Sequence, residues 1–163
     1  MKKTAILLLA CTLAFQSYSQ QNETSAQSKK DNVHEQTQAF LSVIGGISAA
    51  YVLTAQDQIE AQIIAFDRNR ADSNVAYQKM MMQKNIIALL LDHITKLQTT
   101  NAIGPDSPDH TFIVDLKTTL NLMVKEIDHG IAYLSEKSAS KKTQFETSSS
   151  EATKKIRTLL GME

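Results

Sequence analysis

Apolar side chains recur along most of this chain in steps of three, four and seven residues, the spacing that places them on one face of an α-helix. A first stripe runs from Val33 to Phe66, a second from Ala76 to Leu97 and a third from Ile113 to Leu134. Because the chain has no convincing strand pattern, we predict an all-α protein, a helical hairpin extended to a three- or four-helix antiparallel bundle over residues 33–136. Its core is expected to comprise Phe40, Ile44, Ile47, Tyr51, Ile59, Ile87, Leu90, Ile94, Leu116, Leu120, Met123, Ile127 and Leu134.

Sequence signals mark the ends of the later helices. Ser107-Pro108-Asp109 supplies an N-cap hydroxyl, a first-turn proline and a carboxylate that suits the helix dipole, so a helix is predicted to begin there. Farther on, Ser148 and Glu151 have the spacing of a capping box, which predicts a short last helix that stops at Gly161. Residues 137–163 are therefore expected to form a flexible linker followed by this short helix.

The boundary between the first and second stripes has two interpretations. Residues Gly45 to Ile94 keep one seven-residue register, which suits long coiled-coil-like helices, and a continuous helix would be about 100 Å long. However, residues 67–74 are rich in Asp, Asn and Ser, which prefer turns and caps to helix interiors. We predict a tight turn near Asn69 to Ser73, with the continuous helix as the alternative.

Residues 1–19 have the order of a bacterial secretory signal peptide. Lys2 and Lys3 precede an uncharged, largely apolar run over residues 4–15, and small residues at positions 17 and 19 suit cleavage after Ser19. The apolar run is too short to span a bilayer, which takes about 20 residues. We therefore expect export to the periplasm or outside the cell, with residues 20–32 as a disordered polar tether.

Residues 8–11 (Leu-Leu-Ala-Cys) also resemble the processing site of a bacterial lipoprotein. Cleavage there would leave an acylated Cys11 as the N-terminus and anchor the protein to a membrane. The chain stays apolar after Cys11, whereas a lipoprotein usually turns polar, so cleavage after Ser19 is preferred. Because Cys11 is the only cysteine in the sequence, a chain cut after Ser19 forms no disulfide.

Candidate chemistry is sparse. His93 and His129 each follow an aspartate, but adjacent helical residues point about 100° apart, and no two histidines have the four-residue spacing that binds metal. Met80-Met81-Met82 spreads around the helix in the same way, which disfavours a copper site. No nucleophile motif or phosphate-binding loop is present. We expect no enzymatic activity, no cofactor and no bound metal.

The charge pattern gives no sign of a nucleic-acid partner. The sequence balances 17 basic residues against 17 acidic ones and contains no tryptophan. It also lacks a basic stripe with interleaved aromatic residues, which is the usual mark of a polyanion-binding surface. We therefore expect the protein to bind no nucleic acid.

Residues 36–56 form an unusual segment that carries no charge over 21 positions. Small residues on one helix face let another backbone approach closely. The predicted interaction face comprises Ser42, Gly45, Gly46, Ala49, Ala50 and Thr54. We expect it to contact a protein partner or a second copy of the chain. The alternative is contact with a bilayer or entry into it, although the apolar part, about 17 residues, is shorter than the ~20 that a span requires.

These features predict an exported structural or interaction protein of a bacterial cell envelope that acts through helix-face contacts. In outline it is similar to exported helical accessory subunits of secretion and conjugation machines, although no motif carries that likeness. The alternative function is a membrane-active helical protein that uses residues 36–56 to contact or enter a bilayer.

The cleavage site is directly testable. Protein purified from cells that produce the full chain is expected to begin at Gln20, and intact mass spectrometry measures this. A mass that corresponds to a diacylglyceryl Cys11 at the N-terminus would contradict the prediction, as would retention of Met1.

Overall fold

The computed structural model describes residues 39, 42–99, 103–104 and 108–162, and within them it contains four helices and no strand. The helices are α1 (residues 42–67), α2 (Ser73–Thr99), α3 (Pro108–Glu136) and α4 (Ala139–Leu159). This confirms the prediction of an all-α fold. The predicted signal peptide and polar tether, residues 1–32, lie outside the described residues.

The chain divides into two compact units, Met1–Gly45 and Gly46–Glu163. The described part of the first unit is helical and exposes Val43. The packing described below is that of the second unit, which contains α1 from Gly46 onward and all of α2, α3 and α4. Because consecutive helices are joined by short connections, they pack as antiparallel neighbours.

Ion pairs show the antiparallel order of α3 and α4. Near the middle of α3, Lys125 Nζ lies 2.9 Å from Glu151 Oε2, and nearer its start, Asp115 Oδ1 lies 2.7 Å from Lys155 Nζ. The partner on α4 therefore moves toward the C-terminus as the residue on α3 moves toward the N-terminus. Residues 137–138 make the tight connection that this arrangement requires.

The predicted turn between α1 and α2 is present, and the continuous helix is not formed. Asn69 adopts the left-handed conformation, with φ of 53°, which asparagine tolerates better than most residues. Asp72 Oδ1 then accepts a hydrogen bond from the Asn74 backbone N–H at 2.7 Å and caps the start of α2. The polar residues 67–74 thus act as turn and cap residues despite the unbroken seven-residue register.

The core follows the predicted stripes in α2 and α3 and in the later part of α1. Of the predicted core residues, Ile44, Tyr51 and Leu90 are half-buried, and Phe40 lies outside the described residues. Those that are buried are Ile59, Ile87, Ile94, Leu116, Leu120, Met123, Ile127 and Leu134. The periodicity therefore identified the inward faces of these helices.

The prediction that Ile47 belongs to the core is wrong, because its side chain is 67% exposed. The inward face of α1 is defined by Val52, Ala55, Ile59 and Ile63, all of them buried. Each four-residue step along a helix rotates the side chain about 40° beyond a full turn. Repeated four-residue steps from Ile63 back toward the start of α1 therefore rotate the side chain away from the buried face before Ile47 is reached.

The predicted start of the last helix at Ser148 is also wrong. The N-cap is Ser138, whose hydroxyl accepts a hydrogen bond from the Lys141 backbone N–H at 3.3 Å. Ser148 is buried in mid-helix, where its hydroxyl is 2.9 Å from the Phe145 carbonyl oxygen of the preceding turn. The capping-box spacing matched by coincidence, and the helix has 21 residues.

The predicted stop of this helix at Gly161 is confirmed. Gly161 has a φ of 64°, in the left-handed region where glycine carries no steric penalty. The Met162 backbone N–H donates to the Arg157 carbonyl at 2.9 Å, and that of Gly161 donates to Thr158 at 3.1 Å. This pair of hydrogen bonds is the Schellman arrangement that satisfies the last carbonyls of a helix.

The third helix begins at Pro108 as predicted, with Asp109 in its first turn, while Ser107 lies outside the described residues. Farther along α3, Gly130 allows close packing with two neighbours. A Cβ atom at this position would overlap Met80 Cε of α2 and would lie 3.2 Å from the Phe145 ring of α4. The missing side chain thus makes room where three helices meet.

The assignment of helix faces predicts different costs for two isoleucine truncations. Ile127→Ala should lower the free energy of unfolding by about 2–5 kcal/mol, because the side chain is fully buried. Ile47→Ala removes the same atoms from an exposed site and should change it by no more than about 0.5 kcal/mol. Chemical denaturation of both variants measures the difference, and equal losses would show that the faces are wrongly assigned.

Candidate functional site

The predicted small-residue face lies largely open to solvent. In the second unit Gly46, Ala50 and Thr54 are exposed and Ala49 is half-buried; in the first unit Ser42 is exposed and Gly45 is half-buried. A Cβ atom on Gly46 would meet nothing within 4 Å. Packing within the second unit therefore leaves Gly46 available for contact with another molecule.

A set of exposed apolar side chains lies on the outer side of α1 and α2. Met82 and Leu89 of α2 are 54% and 57% exposed, and one helical turn separates Met82 from the exposed Ile86. The Tyr51 hydroxyl of α1 donates to Gln83 Oε1 at 3.2 Å, so the two helices lie side by side here. Ile47 lies one turn before Tyr51 on α1 and is also exposed. We call Ile47, Met82, Ile86 and Leu89 the α1–α2 apolar face.

None of the helices in the described residues has the length and apolar character needed to cross a membrane. The apolar face just defined is instead a mixture of exposed aliphatic side chains and methionine among polar neighbours. Gln78 and Asn85 lie beside Met82 and Ile86 on the same side of α2. Such mixed surfaces, with adaptable methionine side chains, are typical of contacts between proteins.

The residues considered for metal binding do not come together. His93 is exposed on α2, while His129 of α3 places Nδ1 3.1 Å from the Gln144 carbonyl oxygen of α4. Lys84 lies beside Asp128, so the antiparallel order of α2 and α3 separates His93 from His129 along the bundle. The described residues contain no group of three histidine, cysteine, aspartate or glutamate side chains that could hold a metal ion.

The three adjacent methionines also diverge. Met80 is buried, Met81 is half-buried and Met82 is exposed. The three side chains therefore lie in the core, at its edge and on the surface, respectively, as the angular spacing of consecutive helical residues requires.

A buried polar cluster, which the sequence pattern did not reveal, joins α1, α3 and α4. It consists of Gln56, Glu60, Glu126, Ser149 and Thr153, and within it Glu126 is 0% exposed and Gln56 5% exposed. Gln56 Nε2 lies 3.0 Å from Glu126 Oε1 and 3.0 Å from Glu60 Oε1. The same nitrogen lies 3.3 Å from both Ser149 Oγ and Thr153 Oγ1. One amide group thus contacts side chains from three helices.

Burial dominates the electrostatics of Glu126. It raises the pKa of this carboxyl from 4.5 to about 7, against the opposing effect of hydrogen bonds from Ser149 and Gln56, and the negative charge of Glu60 adds to the rise. Glu126 Oε2 has no hydrogen-bond partner among the described residues. The carboxyl group therefore holds its proton in weakly acidic solution, where an exposed glutamate is ionised.

A groove of about 730 Å³ between α1 and α4 borders this cluster. Glu60, Ser149 and Thr153 belong both to the cluster and to the wall of the groove. The apolar part of the lining is Ile63, Ile64 and Phe145, and the charged part includes Glu146, Lys154 and Arg157. We call it the α1–α4 groove. Its size is within the range of small-ligand sites in proteins.

Asp67, the last residue of α1, lines the groove and joins α1 to α3 and α4. Its carboxylate accepts hydrogen bonds from the Tyr133 hydroxyl of α3 at 2.5 Å and from Lys142 Nζ of α4 at 2.6 Å. These hydrogen bonds raise the pKa of both donors. The Tyr133 ring also meets the Phe66 ring edge to face, with 5.8 Å between centroids.

Comparison of the chain with protein-family models, with curated proteins and with solved structures gave no match. The chemistry of the groove therefore has to be argued from its own side chains. They offer carboxylates, hydroxyls, the cationic groups of Lys142, Lys154 and Arg157, and an apolar wall, a set suited to holding a molecule by polar and apolar contact.

The raised pKa of Glu126 predicts how stability changes with pH. Between pH 4.5 and about 7 the folded protein keeps a proton that the unfolded chain loses, so stability should fall as the pH rises through this window. A shift of this size corresponds to about 3 kcal/mol. Thermal or chemical denaturation of the wild type from pH 4 to pH 8, compared with Glu126→Gln, measures the contribution of this group.

The glutamine variant cannot ionise at position 126. Its free energy of unfolding should therefore fall less between pH 4.5 and about 7 than that of the wild type. Glu151→Gln is a matched control, because this carboxylate is half exposed and pairs with Lys125 on the surface. It should leave the pH dependence close to that of the wild type. Parallel pH profiles for the wild type and Glu126→Gln would contradict the assignment of the proton to Glu126.

Proposed function

We propose that this protein is an exported structural or interaction protein of a bacterial cell envelope, which acts through helix-face contacts with a partner protein or with a second copy of itself. The observation that carries the proposal is the α1–α2 apolar face, because its four aliphatic or thioether side chains are left exposed after the bundle has formed its core. Exposed apolar side chains that adjoin one another on a folded domain mark sites of contact with other proteins.

Two further features support contact as the mode of action. The small-residue side of α1 adds Gly46 and Ala50, both exposed, where another helix can approach closely. The long rigid helices also present these side chains in a fixed arrangement, so a partner meets a surface that needs little ordering on binding. A role as an accessory subunit of an envelope machine such as a secretion or conjugation system fits this mode of action.

The proposed place of action is the periplasm or the cell exterior, reached by the signal peptide at residues 1–19. The sequence of the leader supports it. Anchoring through an acylated Cys11 is the alternative, and it would hold the protein at a membrane.

Site-specific photocrosslinking in the producing bacterium tests the contact surface. A photoreactive amino acid at position 89 should give a covalent adduct on irradiation, because Leu89 lies on the proposed interface. Its mass distinguishes a second copy of the chain from a different protein. Val114 of α3 is a matched control, since its side chain is aliphatic and 42% exposed but lies off the apolar face.

The control position should give no adduct or a much weaker one. An absence of adduct from position 89, or the same adducts from positions 89 and 114, would contradict the proposal. Far-UV circular dichroism of both labelled proteins verifies that the bundle is still folded.

A further inference from the structure

The buried polar cluster contains fewer hydrogen-bond donors than acceptors. The Gln56 amide nitrogen carries two hydrogens, yet four oxygens lie within 3.0 to 3.3 Å of it, two of them hydroxyls that donate to Glu60 Oε1. Gln56 Oε1 and Glu126 Oε2 are buried and have no partner among the described residues. Buried polar atoms are normally paired, so these two oxygens leave the cluster short of donors.

Glu60 connects this donor-poor cluster to the α1–α4 groove. Its Oε1 atom accepts from Ser149 Oγ at 2.7 Å and from Gln56 Nε2 at 3.0 Å. In the part of the chain that the structure describes, no ion pair includes Glu60 or Glu126. Glu126 and Glu60 therefore both accept from the Gln56 amide, and the Glu60 carboxylate, which also accepts from the Ser149 and Thr153 hydroxyls, has no ion-pair partner among the described residues.

Four neighbouring lysines are engaged with other carboxylates. Lys125 of α3 pairs with Glu151 at 2.9 Å, and Lys155 of α4 pairs with Asp115 at 2.7 Å. Lys84 of α2 pairs with Asp128, and Lys142 at the end of the groove pairs with Asp67. Lys154 and Arg157 line the groove, but neither forms an ion pair with Glu60.

The groove offers apolar contact directly beside Glu60. Ile63 and Ile64 follow it on α1 by three and four residues, which places all three side chains on neighbouring parts of one helix surface. Phe145 faces them from α4 and is almost fully buried, while Ile64 is exposed at the groove edge. A short hydrocarbon chain can therefore lie along the groove while its polar end reaches the Glu60 carboxylate.

We propose that the α1–α4 groove binds a protonated primary amine that carries an apolar chain, with the ammonium group at Glu60 and the chain against Ile63, Ile64 and Phe145. An ammonium group would add three N–H donors and a positive charge to a cluster whose carboxyl groups form no ion pair within the described residues. Ser149 and Thr153 would complete the polar end of the site from α4. This ligand site is separate from the α1–α2 apolar face, which lies on the other side of α1.

Occupation of the site has a consequence for the proton on Glu126. Burial is the main cause of the raised pKa of Glu126 and the charge of Glu60 is a smaller one, so an ammonium group beside Glu60 should lower this pKa and release part of a proton in weakly acidic solution. The charged side chain that acts on Glu126 from α1 is Glu60, whereas α4 contributes a hydrogen bond from the Ser149 hydroxyl. Amine affinity should accordingly rise as the pH increases from about 5 to about 7.5.

Isothermal titration calorimetry with n-hexylamine, n-hexanol and hexanoate tests the proposal on the purified protein. The three probes share a six-carbon chain and differ in charge. At pH 7 n-hexylamine should bind about tenfold more tightly than n-hexanol, and hexanoate should bind more weakly still. An acetylated Leu-Lys-Leu amide, measured in parallel, distinguishes a free amine from a lysine side chain as the preferred source of the ammonium group.

Glu60→Gln should weaken n-hexylamine binding about tenfold and leave n-hexanol binding unchanged, because it removes the charge and keeps the shape. Glu146→Gln is the matched control on the same groove and should change affinity by less than about twofold. In wild type, the binding heat at pH 6.5 should depend on the ionisation enthalpy of the buffer. Glu126→Gln should abolish this dependence while it retains binding.

Three results would overturn the proposal. Equal affinity for n-hexylamine and n-hexanol would make the groove a merely apolar recess. Tightest binding of hexanoate would assign the site to Lys154 and Arg157. Unchanged amine affinity in a Glu60→Gln protein that melts like the wild type would remove the carboxylate from the site.

Discussion

The hydrogen bonds of the Gln56 amide form one polar layer in the otherwise largely apolar contact between α1 and the rest of the bundle. In this layer α1 meets α3 and α4 through Glu126, Ser149 and Thr153 rather than through aliphatic side chains. A carboxyl group without exposure must be neutral or well bonded, because an isolated buried charge is prohibitively costly. The packing of α1 in this layer therefore depends on how Glu126 is neutralised and on the position of a single amide.

That constraint explains why the α1–α4 side of the bundle differs from the others. The buried side chains of α4 are Phe145, Ser148, Ser149, Ala152 and Ile156, so most of them are small. Small side chains leave space between α1 and α4, and the polar ones can reach across it only by hydrogen bonds. The result is a groove on this side, whereas α2 and α3 meet through larger residues such as Met80 and Ile127.

Periodicity predicted most of the fold, and its failures have identifiable physical causes. A line drawn through every fourth residue turns gradually around the helix. For this reason the periodicity wrongly assigned Ile47 to the core. The start of α4 was missed because this helix carries few large apolar side chains and a chance capping-box spacing at Ser148 and Glu151. The polar cluster left a trace in the sequence, because Gln56 and Glu126 both lie in register with buried neighbours. A stripe analysis that counts only apolar residues cannot register that signal, and it cannot show which helix a buried glutamine will face.

A sequence optimised for the fold alone would place an aliphatic residue at position 126. Replacement of buried charged groups by well-packed apolar side chains is often neutral or stabilising, so Glu126 lowers the stability that this core would otherwise have. Glu126 is a polar residue on the buried face of α3, whereas its neighbours Met123 and Ile127 are apolar, as the helix stripe predicts. Such departures from consistency between local and global preferences concentrate at functional sites. Glu126 contacts Gln56, and Gln56 contacts Glu60 on the wall of the groove. The buried carboxyl group that lowers the stability of the core thus helps to position a polar side chain beside the open groove.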